Sequence, residues 1–238
     1  MRMYNADTQS GTPLSTNMFA YCENNAINKS DDEGNDAWWI QSPNSANGKG
    51  HTSLLLKEKS GYWWYFYWGD RSVQLLFIGT SSLREITGKV RAQINYYNRN
   101  YSNKFGKLYY YEEYTRAIQF SGHFENCIKE IKKYISNNQY SYAFSGIGKR
   151  KVYVRFRYPS EKYKGKYRPY SHILSTNDSY SLGFNNCVQK SIFYLKYGEL
   201  SSRNKAFHDE LNNFHVIPNN AIKKFREFGK WVTYSYYS

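Results

Sequence analysis

The chain has 238 residues, enough for one sizeable domain and a shorter appended segment. Its 33 Lys and Arg residues outnumber 19 Asp and Glu, and the formal net charge of +14 favours an acidic partner or surface. Charge alone does not distinguish nucleic acid, anionic lipid and wall polymers. Aromatic residues make up 19% of the chain, so we expect a packed core rather than disorder despite a mean hydropathy of −0.80.

Cysteine spacing and hydropathy argue against several classes of protein. Cys22, Cys127 and Cys187 form no CxxC pair, so we expect neither a structural zinc site nor a disulfide framework, and no cofactor is indicated. No apolar run is long enough to span a membrane, and residues 1–4 do not open a signal peptide. A secreted form would therefore need a non-classical route.

Residues 1–34 are rich in turn-forming residues and show little apolar periodicity. They resemble the closing segment of RHS/YD-repeat proteins, in which a YxPxTG-like stretch leads to NxYAYxxNNPxNxxDPxG. Two prolines of that pattern are replaced here, by Ala26 and Asp32. Three stretches carry the resemblance: Met3–Thr8, Asn17–Asn28 and Asp31–Gly34.

This resemblance implies a domain organisation and a mode of action. In RHS proteins the segment precedes a variable C-terminal effector domain, often a toxin of the polymorphic class. We therefore expect an RHS remnant and linker over residues 1–40 and an effector domain over residues 41–238. The resemblance further implies delivery into a target cell and a possible immunity protein as partner.

The strongest local signal is a β-hairpin that follows a flexible stretch at residues 41–50. Its strands are predicted at His51–Lys57 and Tyr62–Trp68, with Ser60 and Gly61 as the turn. A two-residue loop pairs His51 with Asp70, within side-chain reach. A four-residue loop places Trp68 opposite His51 instead and makes Asp70 a diagonal neighbour.

The remaining elements follow from periodicity and from start and stop signals. Cys127 lies near the apolar face of a predicted amphipathic helix and is assigned to the core. Strands are predicted at Ser72–Thr80, within Lys107–Phe120, within residues 146–170 and at Trp231–Tyr237, and helices at Val90–Tyr97, at Phe124–Ile135, from Cys187 towards Gly198, and from Pro218.

The stretch before Cys187 predicts an activated thiol. Asn186 is a suitable N-cap, which places Cys187 in the first turn of a helix. There the unpaired N–H groups and the helix dipole favour the thiolate. The alternative is that Cys187 packs as a small apolar residue, as free cysteines often do.

Cysteine catalysis also needs an imidazole and a polar group that orients it. Of the five histidines, His51 is singled out because it begins a predicted strand with Asp70 in register. The others are predicted at less suitable places: His123 at a helix start, His172 in a loop, and His208 and His215 in polar surroundings.

Two short motifs resemble the circularly permuted papain-like fold, which includes relatives of NlpC-type peptidases and lecithin retinol acyltransferase. Gly50–Leu54 matches its "GH" strand, and Tyr180–Val188 matches its "NC" helix start. The resemblance implies an α+β fold in which an antiparallel sheet packs against a Cys-bearing helix and further helices. The acyltransferases continue as NCEHF, whereas Val188–Lys190 follow the cysteine here, so acyl transfer is not specifically indicated.

Carried over residue by residue, the resemblance assigns Cys187 as nucleophile, His51 as base and Asp70 as the orienting group. The backbone N–H of Cys187 would help to hold the oxyanion, with Asn185 and Asn186 in support. No metal is implied. A basic tract before the cysteine includes Lys149, Arg150 and Lys151, which form either a solvated face or a docking surface for an anionic substrate.

Three functions remain open from the sequence. The first is an RHS-linked cysteine hydrolase or transferase that acts on an amide, ester or thioester bond of a peptide, wall peptide or lipid. The second is a basic nuclease or nucleic-acid-binding toxin, motivated by the charge and by tyrosines interleaved with Lys and Arg. The third is a non-catalytic papain-like interaction domain.

Overall fold

The computed structural model describes residues 36–79, 83–109, 113–138, 152–159, 168–175, 180–181, 183 and 185–233. Within these ranges eight strands form one antiparallel sheet, in the order β6-β7-β4-β3-β2-β1-β5-β8. The strands are β1 (Ala37–Ser42), β2 (His51–Lys57), β3 (Trp63–Trp68), β4 (Ser72–Gly79), β5 (Arg116–Phe120), β6 (Val152–Phe156), β7 (Ser171–Ser175) and β8 (Lys230–Thr233). The helices are α1 (Leu83–Phe105), α2 (Glu125–Asn137), α3 (Cys187–Leu195), α4 (Glu199–Arg203), α5 (Lys205–Asn212) and α6 (Pro218–Phe225).

Helices cover both faces of the sheet, which explains why its central strands are buried along their whole length. On one face Leu54 and Leu56 of β2 belong to a core that includes residues of α2, α3, α5 and α6. On the other face Leu55 belongs to a second core, built with Ile86, Val90 and other residues of α1. Alternate residues of a strand point to opposite faces, so each strand supplies both cores. The α+β class is therefore confirmed.

The turn of the β2–β3 hairpin has one residue more than the two-residue loop predicted from the sequence. Glu58 N–H donates to the carbonyl of Tyr62 at 2.9 Å, and Gly61 N–H donates to the carbonyl of Glu58 at 2.8 Å. Gly61 has φ +85°, the left-handed conformation that ends a three-residue hairpin loop. Continued from the pairs Leu54↔Phe66 and Lys57↔Trp63, the register sets Gly69, not Asp70, opposite His51.

Several predicted elements are confirmed and three are corrected. The helices that begin near Phe124, at Cys187 and at Pro218 are present, with Pro218 at the start of α6. The predicted helix at Val90–Tyr97 is the middle of a 23-residue helix, α1. The segment within Lys107–Phe120 forms a strand only from Arg116 in its described part, and His172 lies on β7 rather than in a loop.

Strand β1 was not predicted from the sequence. It pairs with β2 on one side and with β5 on the other, and all six of its residues are buried. The sheet therefore starts at Ala37, four residues before the predicted boundary between residues 40 and 41. The segment that resembles RHS proteins, residues 1–34, lies outside the described residues. In the described part of the chain no helix is long and apolar enough to cross a membrane.

Candidate active site

Asn186 caps helix α3 and fixes the position of the cysteine that follows it. Its Oδ1 accepts from the backbone N–H groups of Val188 at 3.0 Å and Gln189 at 3.1 Å. Its Nδ2 donates to the carbonyl of Val216 at 2.9 Å, which ties the helix start to the segment between α5 and α6. The cap that the sequence predicts is confirmed, and Cys187 is the first residue of α3.

Cys187 and His51 meet at the start of this helix. Both are buried, with 3% and 6% of their surfaces exposed. The side chain of His51 and the backbone N–H of Thr52 lie close enough to the Cys187 sulfur to lower the pKa of the thiol. The Thr52 hydroxyl is buried and makes no hydrogen bond within the described residues, but it lies near enough to the sulfur to lower the pKa of the thiol.

These contacts decide the state of the thiol. Burial acts to raise the pKa of Cys187, because a thiolate loses its hydration in the interior. The charge of the His51 imidazole, with smaller contributions from the N–H and hydroxyl of Thr52, outweighs burial and holds the pKa of Cys187 below its ordinary value. The neighbours of Cys187 thus favour its thiolate over its thiol, and the thiolate is the nucleophilic form of cysteine.

The His51 ring is held by a tyrosine and by a chain of hydroxyls. Tyr67 lies against it with ring centroids 4.8 Å apart. Ser53 Oγ is 3.3 Å from His51 Nε2 and 2.7 Å from the hydroxyl of Tyr114, which is 2.8 Å from that of Tyr65.

The chain that leads into His51 is fixed by α6. Asn219 Nδ2 donates to the carbonyls of Gly48 at 2.8 Å and Pro43 at 3.2 Å, and its Oδ1 accepts from Gln41 at 2.6 Å. Gly50 has φ +87°, and a Cβ there would lie 2.6 Å from Asn219 Oδ1. Glycine before the histidine therefore permits both the left-handed backbone and the close approach of α6.

The backbone of Asn185 makes hydrogen bonds with Trp68 and Ser181. Its carbonyl accepts from the indole N–H of Trp68 at 3.0 Å, and its N–H donates to the carbonyl of Ser181 at 3.1 Å. Trp68, the last residue of β3, is itself 1% exposed. Strand β3 thus holds the segment that precedes Cys187 in place.

Asp70 does not take the place that the two-residue turn predicted. It lies between β3 and β4 with a side chain 68% exposed, and its Oδ2 is 4.0 Å from Nε of Arg71. In the observed register Gly69 lies opposite His51, so Asp70 is one residue beyond that position. Ser53, on the same strand, is a polar group that contacts the imidazole.

The other predicted site residues and histidines lie elsewhere or outside the described ranges. Lys149, Arg150 and Lys151 are among the residues that the structure does not describe. His123 pairs with Glu199 at 3.6 Å, and His215 with Glu210 at 3.0 Å. No group of three or more metal-binding side chains comes together within the described residues.

Sequence reasoning missed Ser53, Thr52 and the two tyrosine hydroxyls. Ser53 is two residues from His51 on a predicted strand, so alternation alone could have placed both on one side. Tyr114 is 61 residues from Ser53 in the chain, and no spacing rule connects them.

No protein-family model matches this chain. Neither a curated protein nor a solved structure matches it.

Proposed function

We propose that the chain is a cysteine hydrolase or transferase of the permuted papain-like type, acting on an amide, ester or thioester bond. One observation carries the proposal: Cys187 and His51 are buried together at an N-capped helix start, where the imidazole lowers the pKa of the thiol. A structural cysteine in an apolar core has no need of an imidazole, a backbone donor and a helix N-terminus together.

The chemistry follows the usual course of cysteine catalysis. The Cys187 thiolate attacks the carbonyl carbon of the substrate, and the carbonyl electron pair moves to oxygen. The first backbone N–H of α3 belongs to Cys187 and is not used by the Asn186 cap, so it is placed to hold the oxyanion. As the intermediate collapses, His51 gives its proton to the leaving group. Water or another acceptor, deprotonated by His51, then releases the acyl group from the sulfur.

In this scheme Ser53 takes the part that the sequence assigned to Asp70. When His51 is protonated, its Nε2–H donates to Ser53 Oγ, and the Ser53 hydroxyl then donates a hydrogen bond to the hydroxyl of Tyr114. The chain is neutral, so it orients the imidazolium without adding a negative charge. The thiolate supplies the counter-charge.

Two features support the assignment to a papain-like effector. They are the order of the elements and the sequence of the residues that precede the sheet. The His-bearing β2 precedes the Cys-bearing α3, and the two pack together, as in the permuted papain-like arrangement. Together with the RHS-like residues 1–34, this supports an effector delivered into a target cell by a non-classical route. A peptide, wall peptide or lipid is then its substrate, and an immunity protein its natural partner.

The test replaces the nucleophile and compares it with a structural cysteine. We expect Cys187→Ala to abolish toxicity in a bacterial host that expresses the chain, with an unchanged circular dichroism spectrum. Cys127→Ala is the control, because Cys127 is buried in α2 and its pKa is raised by burial. A folded Cys187→Ala protein that stays fully toxic would exclude catalysis. An inert interaction domain would instead show Cys187 alkylated only near the free-thiol pKa of about 8.5.

A further inference from the structure

Helix α3 carries aromatic side chains on its solvent side as well as on its buried side. Phe193 and Tyr197 are 43% and 40% exposed, with ring centroids 5.6 Å apart. Lys190 and Lys196 share that side, because residues three, four and seven apart lie on one face of a helix, and Lys196 keeps the helical backbone conformation. These four residues are the α3 outer face. A surface helix ordinarily presents polar residues to solvent, so the two exposed rings indicate an interaction surface.

Exposed apolar side chains are concentrated around this helix. Five large ones are exposed in the described residues, and four of them lie on the α3 outer face or beside the start of α3. The two beside the start are Phe214 and Ile217, which flank Val216, and the Val216 carbonyl accepts from the Asn186 cap. The fifth, Tyr109, precedes β5. Apolar exposure therefore marks one region rather than being scattered over the surface.

The two lysines of the α3 outer face have no carboxylate partner in the described part of the chain. The Lys190 ammonium lies against rings instead, 4.7 Å from the centroid of Trp68 and 5.1 Å from that of Phe193. Burial lowers the pKa of Lys190, and an anion beside it would compensate for the lost hydration. Helix α3 contains no Asp or Glu, and Glu199, at the start of α4, is paired with Arg203. The face thus combines apolar rings with positive charge that no described carboxylate neutralises.

Charge and area decide between the kinds of partner that such a face could bind. A second copy of the chain is disfavoured, because each copy carries a net charge of +14. A stable protein interface needs about 800 Å² and about 20–30 residues on each side, far more than two rings and two lysines supply. An anionic bilayer needs less, because aromatic rings at the headgroup level and lysines that reach the lipid phosphates are enough for peripheral binding.

We propose that the α3 outer face docks on an anionic lipid bilayer, with the rings of Phe193 and Tyr197 among the headgroups and both lysines against lipid phosphates. The axis of α3 then lies along the membrane surface, as in interfacial amphipathic helices. Cys187 begins the same helix and is about 9 Å from Phe193 along its axis. Docking therefore brings the proposed nucleophile close to the bilayer, but the binding itself does not depend on the cysteine chemistry.

The test measures co-sedimentation of the full chain with vesicles of equal parts phosphatidylglycerol and phosphatidylcholine, and with vesicles of phosphatidylcholine alone. We expect binding to the anionic vesicles that weakens as salt rises, and much weaker binding to the neutral ones. Phe193→Gln should weaken binding to the anionic vesicles about tenfold, because the ring is no longer buried among headgroups. Lys196→Gln should weaken it about fivefold through one lost phosphate attraction. Because Lys196 is exposed, this variant should fold even if Phe193→Gln does not.

Matched controls separate the α3 outer face from the rest of the basic surface. Tyr109→Gln removes a ring that is 46% exposed and lies beside Lys107 and Arg71. Arg91→Gln removes an exposed charge from α1, on the other face of the sheet. Neither change should alter vesicle binding much, and Cys187→Ala should bind as the wild type does.

Several results would overturn the proposal. Absence of sedimentation with the anionic vesicles at low salt is one, and equal losses in Phe193→Gln and Tyr109→Gln, or in Lys196→Gln and Arg91→Gln, are others. A Phe193-dependent dimer in sedimentation velocity, without vesicle binding, would assign the face to a second copy of the chain. Lys196-dependent binding to polyglutamate, without vesicle binding, would assign it to an acidic protein.

Discussion

A comparison of two buried cysteines, Cys127 and Cys187, shows how neighbouring groups set the pKa of a thiol. Cys127, on α2, is fully buried in the core, and burial raises its pKa well above the ordinary value. Cys187 is nearly as buried, yet its pKa is lowered. The two thiols differ in pKa because Cys187 has His51 and Thr52 as neighbours, not because their solvent exposure differs. Burial by itself therefore does not identify an inert thiol.

The hydroxyl chain behind His51 makes a prediction about pH. Ser53→Ala removes the acceptor of His51 Nε2–H, so the imidazolium is destabilised and with it the thiolate. We expect the pH profile of Cys187 alkylation, followed by mass spectrometry of the Cys187 peptide, to shift towards higher pH. Tyr114→Phe, one step further along the chain of hydroxyls, should shift it less.

Tyr97→Phe is the matched control for the hydroxyl chain. The Tyr97 hydroxyl is buried without a hydrogen-bond partner, and burial raises its pKa to about 12. Its removal should leave the alkylation profile unchanged. If Ser53→Ala and Tyr97→Phe give the same profile as the wild type, the hydroxyl chain does not position His51.

His172 makes a separate prediction about stability. Burial, with smaller contributions from Lys132 and Arg155, lowers its pKa to about 4, and its Nδ1 is 2.7 Å from the hydroxyl of Tyr153. Between about pH 6.5 and pH 4 the unfolded chain binds a proton here that the folded chain does not. Stability is therefore complete above pH 6.5 and is lost as the pH falls towards 4.

The size of this effect can be measured by urea unfolding at pH 8 and pH 5. The shift corresponds to a loss of about 2 kcal/mol at pH 5. His172→Gln should lose less stability than the wild type over the same interval, by about that amount. Identical losses in the two proteins would show that His172 is protonated in the folded state at pH 5.

At the residue scale the sequence predicted that Cys187 and His51 lie together, but not the side chains that surround His51. Cys187 and His51 each carry a local signal, a capped helix start and a glycine-led strand. The role of Asp70 depended on a turn one residue shorter than the one observed, and one residue is enough to change every cross-strand partner. Ser53 was overlooked because its importance comes from contacts that are distant in the chain.

At the scale of elements, α3 and α5 offer a controlled comparison. Each begins with an asparagine cap: Asn186 for α3, and Asn204, whose Oδ1 accepts from Phe207 N–H at 3.0 Å, for α5. Replacing either by Ala should cost about 1 kcal/mol of stability. Only Asn186→Ala also releases the start of α3 from the Val216 carbonyl, which displaces Cys187.

We therefore expect Asn186→Ala to lower activity by roughly ten- to a hundredfold, since small displacements of a nucleophile are costly. Asn204→Ala should keep wild-type activity at a similar loss of stability. Thermal unfolding and the toxicity assay, run on both variants, separate the two effects. Equal activities would mean that the cap supports the fold alone.

Helix and strand lengths were harder to predict than their positions. The buried residues of α1, among them Ile86, Val90 and Ile94, follow a four-residue spacing, but Gly88 and several asparagines obscure the pattern at both ends. Strand β1 was missed because its residues are buried on both faces, so it lacks the alternation that marks a half-exposed strand.

At the scale of the molecule, β1 decides where the folded unit begins. Trp39 pairs with Leu54 of β2 and Ile118 of β5, is fully buried, and packs against Phe225 of α6 with ring centroids 4.8 Å apart. It thus joins two strands and a helix, of which β2 and α6 contribute to the candidate site. A boundary after residue 40 would remove Trp38, Trp39 and Ile40 from the sheet interior.

We predict that a chain beginning at Asp36 folds and a chain beginning at Gln41 does not. Loss of a buried tryptophan or isoleucine side chain costs about 2–5 kcal/mol each, and a domain has about 5–15 kcal/mol in total. The longer chain should unfold cooperatively and show the wild-type pH profile of Cys187 alkylation. The shorter one, which also leaves the edges of β2 and β5 unpaired, should show no cooperative transition by circular dichroism. Equal melting temperatures for the two chains would mean that β1 contributes nothing essential and that the unit begins after residue 40.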